Sequence, residues 1–391
     1  MNRPTQSMSL QLPARLELDW ALLGLVFTLA SIGVLMVASA SMSLSESYYG
    51  SPWFILQKHC IFLLMGIIAA ASVAVIPSQL WQQYGWVLIL LTVILLVLVL
   101  IPGIGRTVNG SQRWLMFGPI SVQVSELAKL FMVMFFANYL SRRHEELKTT
   151  WKGVFKPLGI VTCVAVLLLL EPDFGGSLVV AGTIFAMMFI AGMKLWQFVC
   201  LLGLGTSLMT LAAIMSPYRM QRLVTFLDPW ADQFHSGYQL TQSLIAFGRG
   251  EWFGVGLGRS VQKLFYLPDA HTDFIFAIVA EEFGLVGATA LVCLFAAIVY
   301  RIIMIGKRAI LHNNSFVSLV AFGVAILFAG QAFINMGVAS GLLPTKGLTL
   351  PFISYGGSSL IISCVLIGIV VRLDWELMTQ PMKQRVTQRV R

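Results

Sequence analysis

The sequence predicts an all-α polytopic membrane protein, a single bundle of ten transmembrane helices with one large extracytoplasmic loop. Of the 391 residues, 58% are hydrophobic and only 11% are charged, and the mean hydropathy of +0.83 lies outside the range of soluble globular domains. The apolar residues form runs long enough to cross a bilayer. The basic residues lie mostly in short loops between those runs, which indicates membrane orientation and argues against a nucleic-acid-binding surface.

Ten apolar runs have the length of a membrane span. A helix that crosses ~30 Å of hydrocarbon at ~1.5 Å per residue needs about 20 apolar residues. On that measure the predicted spans are 20–41, 54–76, 84–104, 124–141, 155–171, 175–193, 195–216, 274–300, 315–337 and 352–371. Residues 1–19 then form an N-terminal tail, residues 20–372 the membrane domain and residues 373–391 a basic C-terminal tail.

The distribution of Lys and Arg predicts that both termini are cytoplasmic. An even number of spans places the termini on one side, and that side holds 16 of the 26 basic residues, so the positive-inside rule assigns it to the cytoplasm. The extracytoplasmic side carries 105–123, the long loop 217–273 and 338–351. Segments of the long loop such as "GYQLTQSLIAFGRG" have amphipathic spacing, which predicts short helices along the membrane face.

Several classes of chemistry lack their motifs. The five cysteines have no paired spacing, so neither a disulfide framework nor a zinc site is predicted. No Walker motif is present, because "GVGLGRS" lacks the required spacing and the final Lys-Ser/Thr, and no serine lies in a nucleophile elbow. The sequence assigns no cofactor, and it leaves open whether a divalent cation, Mg²⁺ or Mn²⁺, serves as a cofactor.

The segment "LPDAHTDFIFAIVAEEFG" places several carboxylates around the start of the eighth span. Asp273 directly precedes the span, where an aspartate can accept hydrogen bonds from free amides and stay ionised. Capping explains one carboxylate, but Asp269 and His271 lie beside it, and Glu281 and Glu282 lie about two turns inside the span. At least one of the two glutamates should face protein or water, and an internal salt bridge or hydrogen bond is favoured over catalysis for them.

A second polar cluster, "NGSQRWLMFGPISVQVSELAKL", precedes and opens the fourth span. Arg113 sits beside Trp114 in an outer loop. Glu126 and Lys129 are three residues apart on one helix face, so they can pair with each other. Cations near this membrane face also suit a phosphate or pyrophosphate headgroup, which arginine binds through two parallel hydrogen bonds. Both interpretations stay open.

Two further outer segments interrupt the helical pattern. "GLLPTKGLTLPFISYGGSS" is rich in Gly and Pro, and irregular backbone at membrane depth is tolerated only where it is buried in protein or lines a cavity. Lys346 is its one charge, and a lysine that extends to the membrane surface is the alternative explanation. In "LLEPDFGGS", Glu171 and Asp173 lie at another outer helix junction, where capping of the sixth span is the simpler explanation.

These segments resemble the SEDS family (shape, elongation, division and sporulation), polytopic bacterial glycosyltransferases that polymerise peptidoglycan from lipid II. The resemblance covers the chain beyond Asp19 and rests on seven segments in order: "NGSQRW", "SELAKL", "EPDFGGSL", "RLVTFLDPWAD", "GYQLTQSLIAFGRGEWFGVGLG", "LPDAHTDFIFAIVAEEFG" and "GLLPTKGLTLPFISYGGSS". Within the family, "AFGRG" and "PTKGLTLP" look like the division-type branch more than the rod-elongation branch. The resemblance implies a ten-span SEDS-type fold with both termini inside.

The resemblance also implies roles for individual residues. The family's catalytic aspartate falls on Asp273, as the general base that takes the proton of the acceptor hydroxyl. Three cations match positive positions around the family's central cavity and are candidates for pyrophosphate or acceptor contacts: Arg113, Lys129 and Lys346. Other candidate substrate-binding residues are Glu126 and Glu171, which match polar family positions, and the motif residues Trp114, His271 and Thr272.

The implied substrate is lipid II, an undecaprenyl-pyrophosphate-linked disaccharide-pentapeptide. The implied partners are a class B penicillin-binding protein transpeptidase, other divisome proteins and membrane lipids. The implied location is the bacterial inner membrane at the division septum, with the active site on the periplasmic side. Two other functions stay open: a flippase that carries lipid II across the membrane, because spans with charges and broken helices are typical of transporters, and a non-catalytic divisome scaffold.

Overall fold

Each predicted span overlaps one long helix of the computed structural model. The structure describes residues 18–108, 111–118, 120–215, 220, 225–344 and 347–379. Its helices are α1 Trp20–Tyr49, α2 Phe54–Val75, α3 Ser78–Gln83, α4 Gly85–Leu100, α5 Val124–Arg142, α6 His144–Thr149, α7 Trp151–Leu170, α8 Phe174–Ile190, α9 Leu195–Ile214, α10 Tyr238–Gly250, α11 Ile275–Leu311, α12 Ser315–Ala339 and α13 Gly357–Thr379. Within the described residues, ten of these helices have 16 or more residues.

The length and composition of the helices are those of a multi-pass membrane protein. Among the described residues, six helices are long and apolar enough to cross a membrane: α1, α2, α5, α7, α11 and α12. Shorter apolar helices are Gly85–Leu100, Phe174–Ile190 and Leu195–Ser207. The predicted all-α polytopic fold is therefore confirmed. α13 continues past the predicted end of the tenth span to Thr379. Its charged side chains pair within the protein, since Asp374 on α13 binds Arg308 on α11 (2.9 Å).

The centre of the bundle is formed by α5 and α12. In their most apolar stretches, 72% of α5 and 67% of α12 is buried, against 11% of α2. Large apolar side chains such as Phe136 on α5 and Phe328 on α12 fill this centre. Among the polar side chains buried there are Lys129 on α5 and Gln331 and Asn335 on α12. Burial of polar groups is costly unless they are paired, so these residues indicate that the centre does more than pack apolar side chains.

The outer loop at 105–123 contains a small antiparallel sheet. Its strands, β1 Gly105–Val108, β2 Ser111–Phe117 and β3 Ile120–Gln123, pair in the order β1-β2-β3. The sequence interpretation did not include these strands. A signal was present, because the two residues between β1 and β2 are Asn109 and Gly110, a pair that strongly favours a two-residue hairpin. β3 leads directly into α5, so the sheet lies at the N-terminal end of a central helix.

The longest helix is broken where the long loop 217–273 meets it. α11 has 37 residues, about 55 Å at 1.5 Å per residue, and this exceeds one membrane crossing. At Gly284 the backbone has φ 66° and ψ −164°. The loop replaces the missing helical hydrogen bonds: Val255 N–H donates to the carbonyl of Glu281 (3.0 Å), and Leu285 N–H donates to that of Glu251 (2.9 Å). The loop and the two halves of α11 therefore form one unit.

The two glutamates inside α11 fasten the same loop. Glu281 is fully buried, pairs with Arg249 (Oε1–Nη1 3.1 Å) and accepts a hydrogen bond from Ser260 Oγ. Glu282 pairs with Lys263 (Oε1–Nζ 2.9 Å). The predicted internal pairing of these carboxylates is confirmed. The amphipathic segment of the loop also forms the predicted short helix, α10.

Gly284→Ala is expected to lower the melting temperature of the protein, at a cost of about 1–3 kcal/mol or more. Its backbone conformation is open almost only to glycine, and a Cβ there would lie 2.5 Å from the backbone nitrogen of Gly254. Gly330→Ala in α12 is the control, because a Cβ there meets nothing within 4 Å. Thermal unfolding in detergent compares the variants. A Gly284→Ala protein as stable as Gly330→Ala would contradict this account of the break.

Candidate functional site

Asp273 lies at the N-terminal end of α11, and its carboxylate does not cap the helix. The capping position is Phe274, without a capping side-chain hydrogen bond. The backbone carbonyl of Asp273 accepts a hydrogen bond from Asn335 Nδ2 (2.8 Å), whereas its carboxylate forms no hydrogen bond or ion pair with the residues that the structure describes. Gly347 lies against this carboxylate, because a Cβ on it would be 2.7 Å from Oδ2. Capping therefore does not explain Asp273.

The surroundings of Asp273 favour its protonated form. Burial, and next the charge of Asp269, raise the pKa of Asp273 to about 7, while Arg113 acts in the opposite direction. The expectation that free amides keep this carboxylate ionised is wrong, because no capping bond forms and desolvation disfavours the charge. A carboxyl group with a pKa near 7 is present in both forms at neutral pH. Such a group suits a reaction step in which it takes up a proton.

Arg113 joins the sheet to the junction of α7 and α8. Its Nε donates to the carbonyl of Glu171 (3.1 Å), its Nη2 donates to that of Pro172, and its Nη1 lies 3.9 Å from Asp173 Oδ1. The side chain is 25% exposed. Nη1 donates no hydrogen bond to the described residues, so this edge of the guanidinium can serve an anion. Trp114, the next residue on β2, is half-buried and points to the opposite face of the strand.

Glu171 and Asp173 are buried beside Arg113. Asp173 Oδ1 accepts a hydrogen bond from Gly176 N–H (2.8 Å), so the predicted cap of the sixth span is confirmed. Glu171 is fully buried, and its carboxyl oxygens have no hydrogen-bond partner in the described part of the chain. Burial, and then the charge of Asp173, raise the pKa of Glu171 to about 8. The group is therefore mostly neutral at pH 7, and its contact with a substrate stays a prediction.

Lys129 and Glu126 form a buried ion pair on α5. Lys129 Nζ lies 2.7 Å from Glu126 Oε2 and donates a hydrogen bond to Gln331 Oε1 (3.1 Å). The pairing predicted from their spacing is confirmed. Because Lys129 is only 2% exposed and its charge is already balanced, its first role is structural. The binding of a substrate by Lys129 and Glu126 stays a prediction.

The turn "HTDF" is docked on the segment "PFISY" through its backbone. Tyr355 N–H donates to the carbonyl of His271 (2.9 Å), and Ser354 Oγ donates to that of Thr272 (2.6 Å). The rings of His271 and Tyr355 lie 5.7 Å apart. Burial lowers the pKa of His271, so its ring is mostly neutral at pH 7. Because the turn is held by main-chain bonds, the side chain of Asp273 remains available for a substrate.

The sequence interpretation missed the side chains that hold these segments, among them Gln331, Asn335 and Ser354. A signal for the first two was present, because they are two amides four residues apart in an apolar span, a spacing that places both on one face of α12. The predicted site residue Lys346 lies outside the described residues. The next residue, Gly347, contacts Asp273.

Within the described residues, the N-terminal ends of four helices meet at this site. Gln123 N–H, before α5, donates to Ser358 Oγ in the first turn of α13 (3.0 Å). A Cβ on Gly175, in the first turn of α8, would lie 2.9 Å from the side chain of Leu348. The carbonyl of Leu348 and that of Asp273, before α11, bind the same amide. Helix N-termini carry partial positive charge, so their convergence favours an anion, although at α8 the Asp173 cap already accepts the Gly176 N–H.

The described residues do not form a metal site of their own. They contain no group of three or more His, Cys, Asp or Glu side chains that could hold a metal ion. Near the site, the carboxyl oxygens of Glu171 and the Oδ2 atom of Asp173 have no hydrogen-bond partner in the described chain, but they lie beside Arg113, whose charge opposes a cation. A divalent cation, Mg²⁺ or Mn²⁺, therefore stays a prediction.

The sequence matches a family model along nearly all of its described length. The model, described as "Cell cycle protein" and named for FtsW, RodA and SpoVE, matches residues 19–378. The chain belongs to this family. The match runs from α1 to α13, and the resemblance to the SEDS proteins is confirmed.

Curated relatives in the family have names that state an activity. "Probable peptidoglycan glycosyltransferase FtsW" of Saccharophagus degradans (strain 2-40) is 53% identical over 361 residues, which cover 92% of this chain and 93% of the relative. The protein of the same name from Coxiella burnetii is 51% identical over 349 residues, which cover 89% of this chain and 94% of the relative. The similarity therefore extends over most of both chains.

Solved structures of the family share the fold. One chain of a solved structure described as "Structural coordination of polymerization and crosslinking by a peptidoglycan synthase complex" aligns with a TM-score of 0.77 at 28% identity. The alignment covers 93% of this chain and 99% of that chain. The rod shape determining protein RodA of Thermus thermophilus aligns with a TM-score of 0.67 at 26% identity, over 92% of this chain and 97% of that chain. The predicted SEDS-type fold is therefore confirmed.

Proposed function

We propose that the protein is a peptidoglycan glycosyltransferase that polymerises lipid II into β-1,4-linked glycan strands for septal cell-wall synthesis. The observation that carries the proposal is the Asp273 carboxyl group, which has no protein partner among the described residues, has a pKa of about 7 and lies where four helix N-termini meet. Relatives at about 50% identity named as probable peptidoglycan glycosyltransferases support the reaction class.

Asp273 is the general base in this proposal. The acceptor hydroxyl oxygen attacks the anomeric carbon of the donor sugar, forms the glycosidic bond and loses its proton to the carboxylate. The bond from the anomeric carbon to the pyrophosphate breaks, and undecaprenyl pyrophosphate leaves with the electron pair. This single displacement with inversion needs one base and no covalent nucleophile. With a pKa of about 7, the carboxyl group is ionised in a large share of molecules at neutral pH.

The pyrophosphate of the donor is proposed to bind between Arg113 and the helix N-termini. Nη1 of Arg113 lies 3.9 Å from Asp173 Oδ1 and donates no hydrogen bond to the described residues, so this edge can offer a charge-assisted hydrogen bond, and the four N-termini add partial positive charge. Because Glu171 is mostly neutral at pH 7, it does not cancel this field. Lys346 is a further proposed cation of the site, and the sugars are proposed to contact Trp114, His271 and Thr272, the last two in the same turn as Asp273.

The reaction is proposed to take place on the periplasmic side of the inner membrane, at the division septum, with both termini in the cytoplasm. The distribution of Lys and Arg supports this orientation. Further support comes from two ion pairs, Arg301 with Asp19 (2.6 Å) and Arg308 with Asp374 (2.9 Å). They hold the start of α1 and the last turns of α13 at the end of α11 that is remote from Asp273.

A class B penicillin-binding protein transpeptidase is the proposed partner, together with other divisome proteins. One structural relative belongs to a peptidoglycan synthase complex that coordinates polymerization and crosslinking. The outer loop carries exposed aromatic side chains beside the break in α11, Trp252 (66% exposed) and Phe253 (81%). Because aromatic residues are enriched in protein interfaces, this loop is a candidate contact surface for the partner.

A lipid II flippase is the second candidate function, and the broken helix α11 is the observation that favours it. Transporters commonly bind their substrates at discontinuous helices. The two carboxylates beside the break are already paired, however, Glu281 with Arg249 and Glu282 with Lys263. Their pairing fastens the long loop 217–273 to α11. This favours a loop that holds the site rigidly over one that moves as a transport gate.

The experiment that separates these functions gives labelled lipid II to the purified full-length protein and its transpeptidase partner in liposomes. The expected product is a series of glycan chains of increasing length on a gel. Movement of lipid II across the liposome membrane without polymer would instead favour the flippase. A protein that binds and activates the transpeptidase, but neither moves nor polymerises lipid II, would favour the scaffold.

A further inference from the structure

Two buried amide side chains one helical turn apart on α12 hold the segment that follows Lys346. Gln331 Nε2 donates to the carbonyl of Thr349 (2.9 Å). Asn335 Nδ2 donates to the carbonyl of Leu348 and also to that of Asp273 (2.8 Å). Both amides are almost inaccessible, Gln331 at 2% and Asn335 at 1% exposure. They bind adjacent residues of one segment, but only Asn335 also binds the "HTDF" turn that carries Asp273.

The hydrogen bonds of Asn335 use both protons of one amide group. An NH₂ group has two donors, and here they bind carbonyls of two segments that are far apart in the sequence, before α11 and before α13. The Oδ1 atom of Asn335 has no hydrogen-bond partner in the described part of the chain. The residue therefore acts here as a double donor, a role that neither a carboxylate nor an apolar side chain of the same shape can fill.

The bond from Asn335 to Leu348 also holds in place the backbone that covers the Asp273 carboxylate. Leu348 is preceded by Gly347, whose backbone approaches so closely that a Cβ on it would lie 2.7 Å from Asp273 Oδ2. By binding Leu348, Asn335 holds this glycine backbone over the carboxylate. By binding the carbonyl of Asp273, it fixes the turn from which the carboxylate projects. One side chain thus sets both the direction of the base and its distance from the segment that covers it.

We propose that Asn335 is the positioning residue of Asp273, which holds the general base and the backbone over it in one fixed arrangement through its two amide hydrogen bonds. The inference rests on the proposed function of Asp273 as the base. It assigns no contact with the substrate to Asn335. The chemistry it requires is a neutral double donor at this position of α12.

The test compares Asn335→Leu with Gln331→Leu in the full-length protein with its transpeptidase partner, with labelled lipid II as substrate. Both variants remove a buried amide that binds the same segment, but only Asn335→Leu frees Asp273. Asn335→Leu is expected to lower kcat about 10–100-fold, the range for a misplaced catalytic group, with KM within about 3-fold of the wild type. Gln331→Leu is expected to lower the thermal stability by a similar amount but to reduce kcat less than Asn335→Leu does.

The pH dependence of kcat/KM, which reports the pKa of the free enzyme, distinguishes positioning from general support. When Gly347 moves away, more water reaches the half-buried Asp273 carboxylate and its pKa falls towards the ordinary value, so the acid limb of Asn335→Leu is expected about one pH unit below that of the wild type. The other charges that act on this carboxylate, Asp269 and Arg113, are the same in every variant. The acid limb of Gln331→Leu is expected at the wild-type position.

Equal losses of kcat in Asn335→Leu and Gln331→Leu, with neither acid limb moved, would overturn the inference. If Asn335→Leu does not fold, Asn335→Ser gives the same readout, because serine is smaller and keeps one donor, and its acid limb must still move to lower pH. Asp273→Asn separates the two proposals. If it polymerises like the wild type, the proposed role of Asp273 as the base fails, whereas an inactive Asp273→Asn beside an Asn335→Leu protein with wild-type kcat overturns only the positioning role.

Discussion

Asp273→Asn is expected to lower the rate of glycan polymerisation by about 10²–10⁴-fold, the contribution of a general base to catalysis. Asparagine keeps the shape of the side chain but cannot take the proton of the acceptor hydroxyl. The change is expected in kcat, with little effect on lipid II binding, because pyrophosphate contacts are assigned to Arg113 and the helix N-termini. The measurement is the initial rate of polymer formation by the purified protein with its transpeptidase partner.

The stability of Asp273→Asn is expected to equal or exceed that of the wild type at pH 7.5. The pKa of Asp273 rises from the ordinary value of 3.8 to about 7 on folding, so between these values the folded state binds a proton that the unfolded state has released. The wild type therefore loses stability as pH rises through this window, and asparagine carries no such penalty. Thermal unfolding checks that lost activity is not lost folding.

Asp269→Asn is the matched control for Asp273→Asn. Asp269 is an exposed carboxylate four residues earlier, at a φ of 55° that asparagine tolerates. Because its charge raises the pKa of Asp273, the variant should keep polymerising and reach its full rate at a lower pH. A polymerising Asp273→Asn, or an Asp269→Asn that is equally inactive, would contradict the assignment of the base.

Lys129→Met is expected to reduce the free energy of unfolding by about 3–5 kcal/mol, the cost of leaving one partner of a buried ion pair without its counterion. Lys129 Nζ lies 2.7 Å from Glu126 Oε2, and both side chains are nearly inaccessible. Methionine fills the space of the aliphatic stem but leaves the Glu126 carboxylate and the Gln331 oxygen without their donor. Thermal or chemical unfolding in detergent measures the loss.

The double variant Glu126→Gln/Lys129→Met is the control, because it removes both charges and is expected to recover much of that stability. An unchanged melting temperature in Lys129→Met would contradict the structural role of the pair. The double variant also tests the substrate role. If it is stable and polymerises lipid II with the wild-type KM, Lys129 and Glu126 serve the fold alone, and a raised KM in a stable double variant would assign the pair to substrate binding as well.

Most of the fold follows from the physics of the bilayer. A hydrocarbon core of fixed thickness selects apolar runs of about 20 residues, so all ten predicted spans overlap long helices of the described chain. The break at Gly284 could not be predicted this way, because it depends on hydrogen bonds from a loop about 30 residues earlier in the sequence, at Glu251 and Val255. The extension of α13 to Thr379 escaped prediction for a related reason. Hydropathy treats Asp374 as exposed, whereas in the fold it pairs with Arg308.

The site was predictable where local spacing decides the contact. A spacing of three positions places Glu126 and Lys129 on one helix face, and their ion pair follows. The protonation of Asp273 was not predictable, because it depends on burial by segments distant in sequence, among them the one that contains Gly347. Asn335 was missed because hydropathy registers an amide in an apolar span only as a weak interruption, and its two acceptors come from separate segments.

The most direct test of Asp273 as the base is the pH dependence of kcat/KM for glycan polymerisation between pH 5 and 8.5. With the pKa of Asp273 at about 7, the rate is predicted to rise in proportion to the ionised fraction and to level off above pH 8. At pH 5 it should lie about 100-fold below the plateau, since only the ionised form accepts the proton. A rate that stays constant from pH 5 to 8 in a protein that remains folded would contradict the assignment.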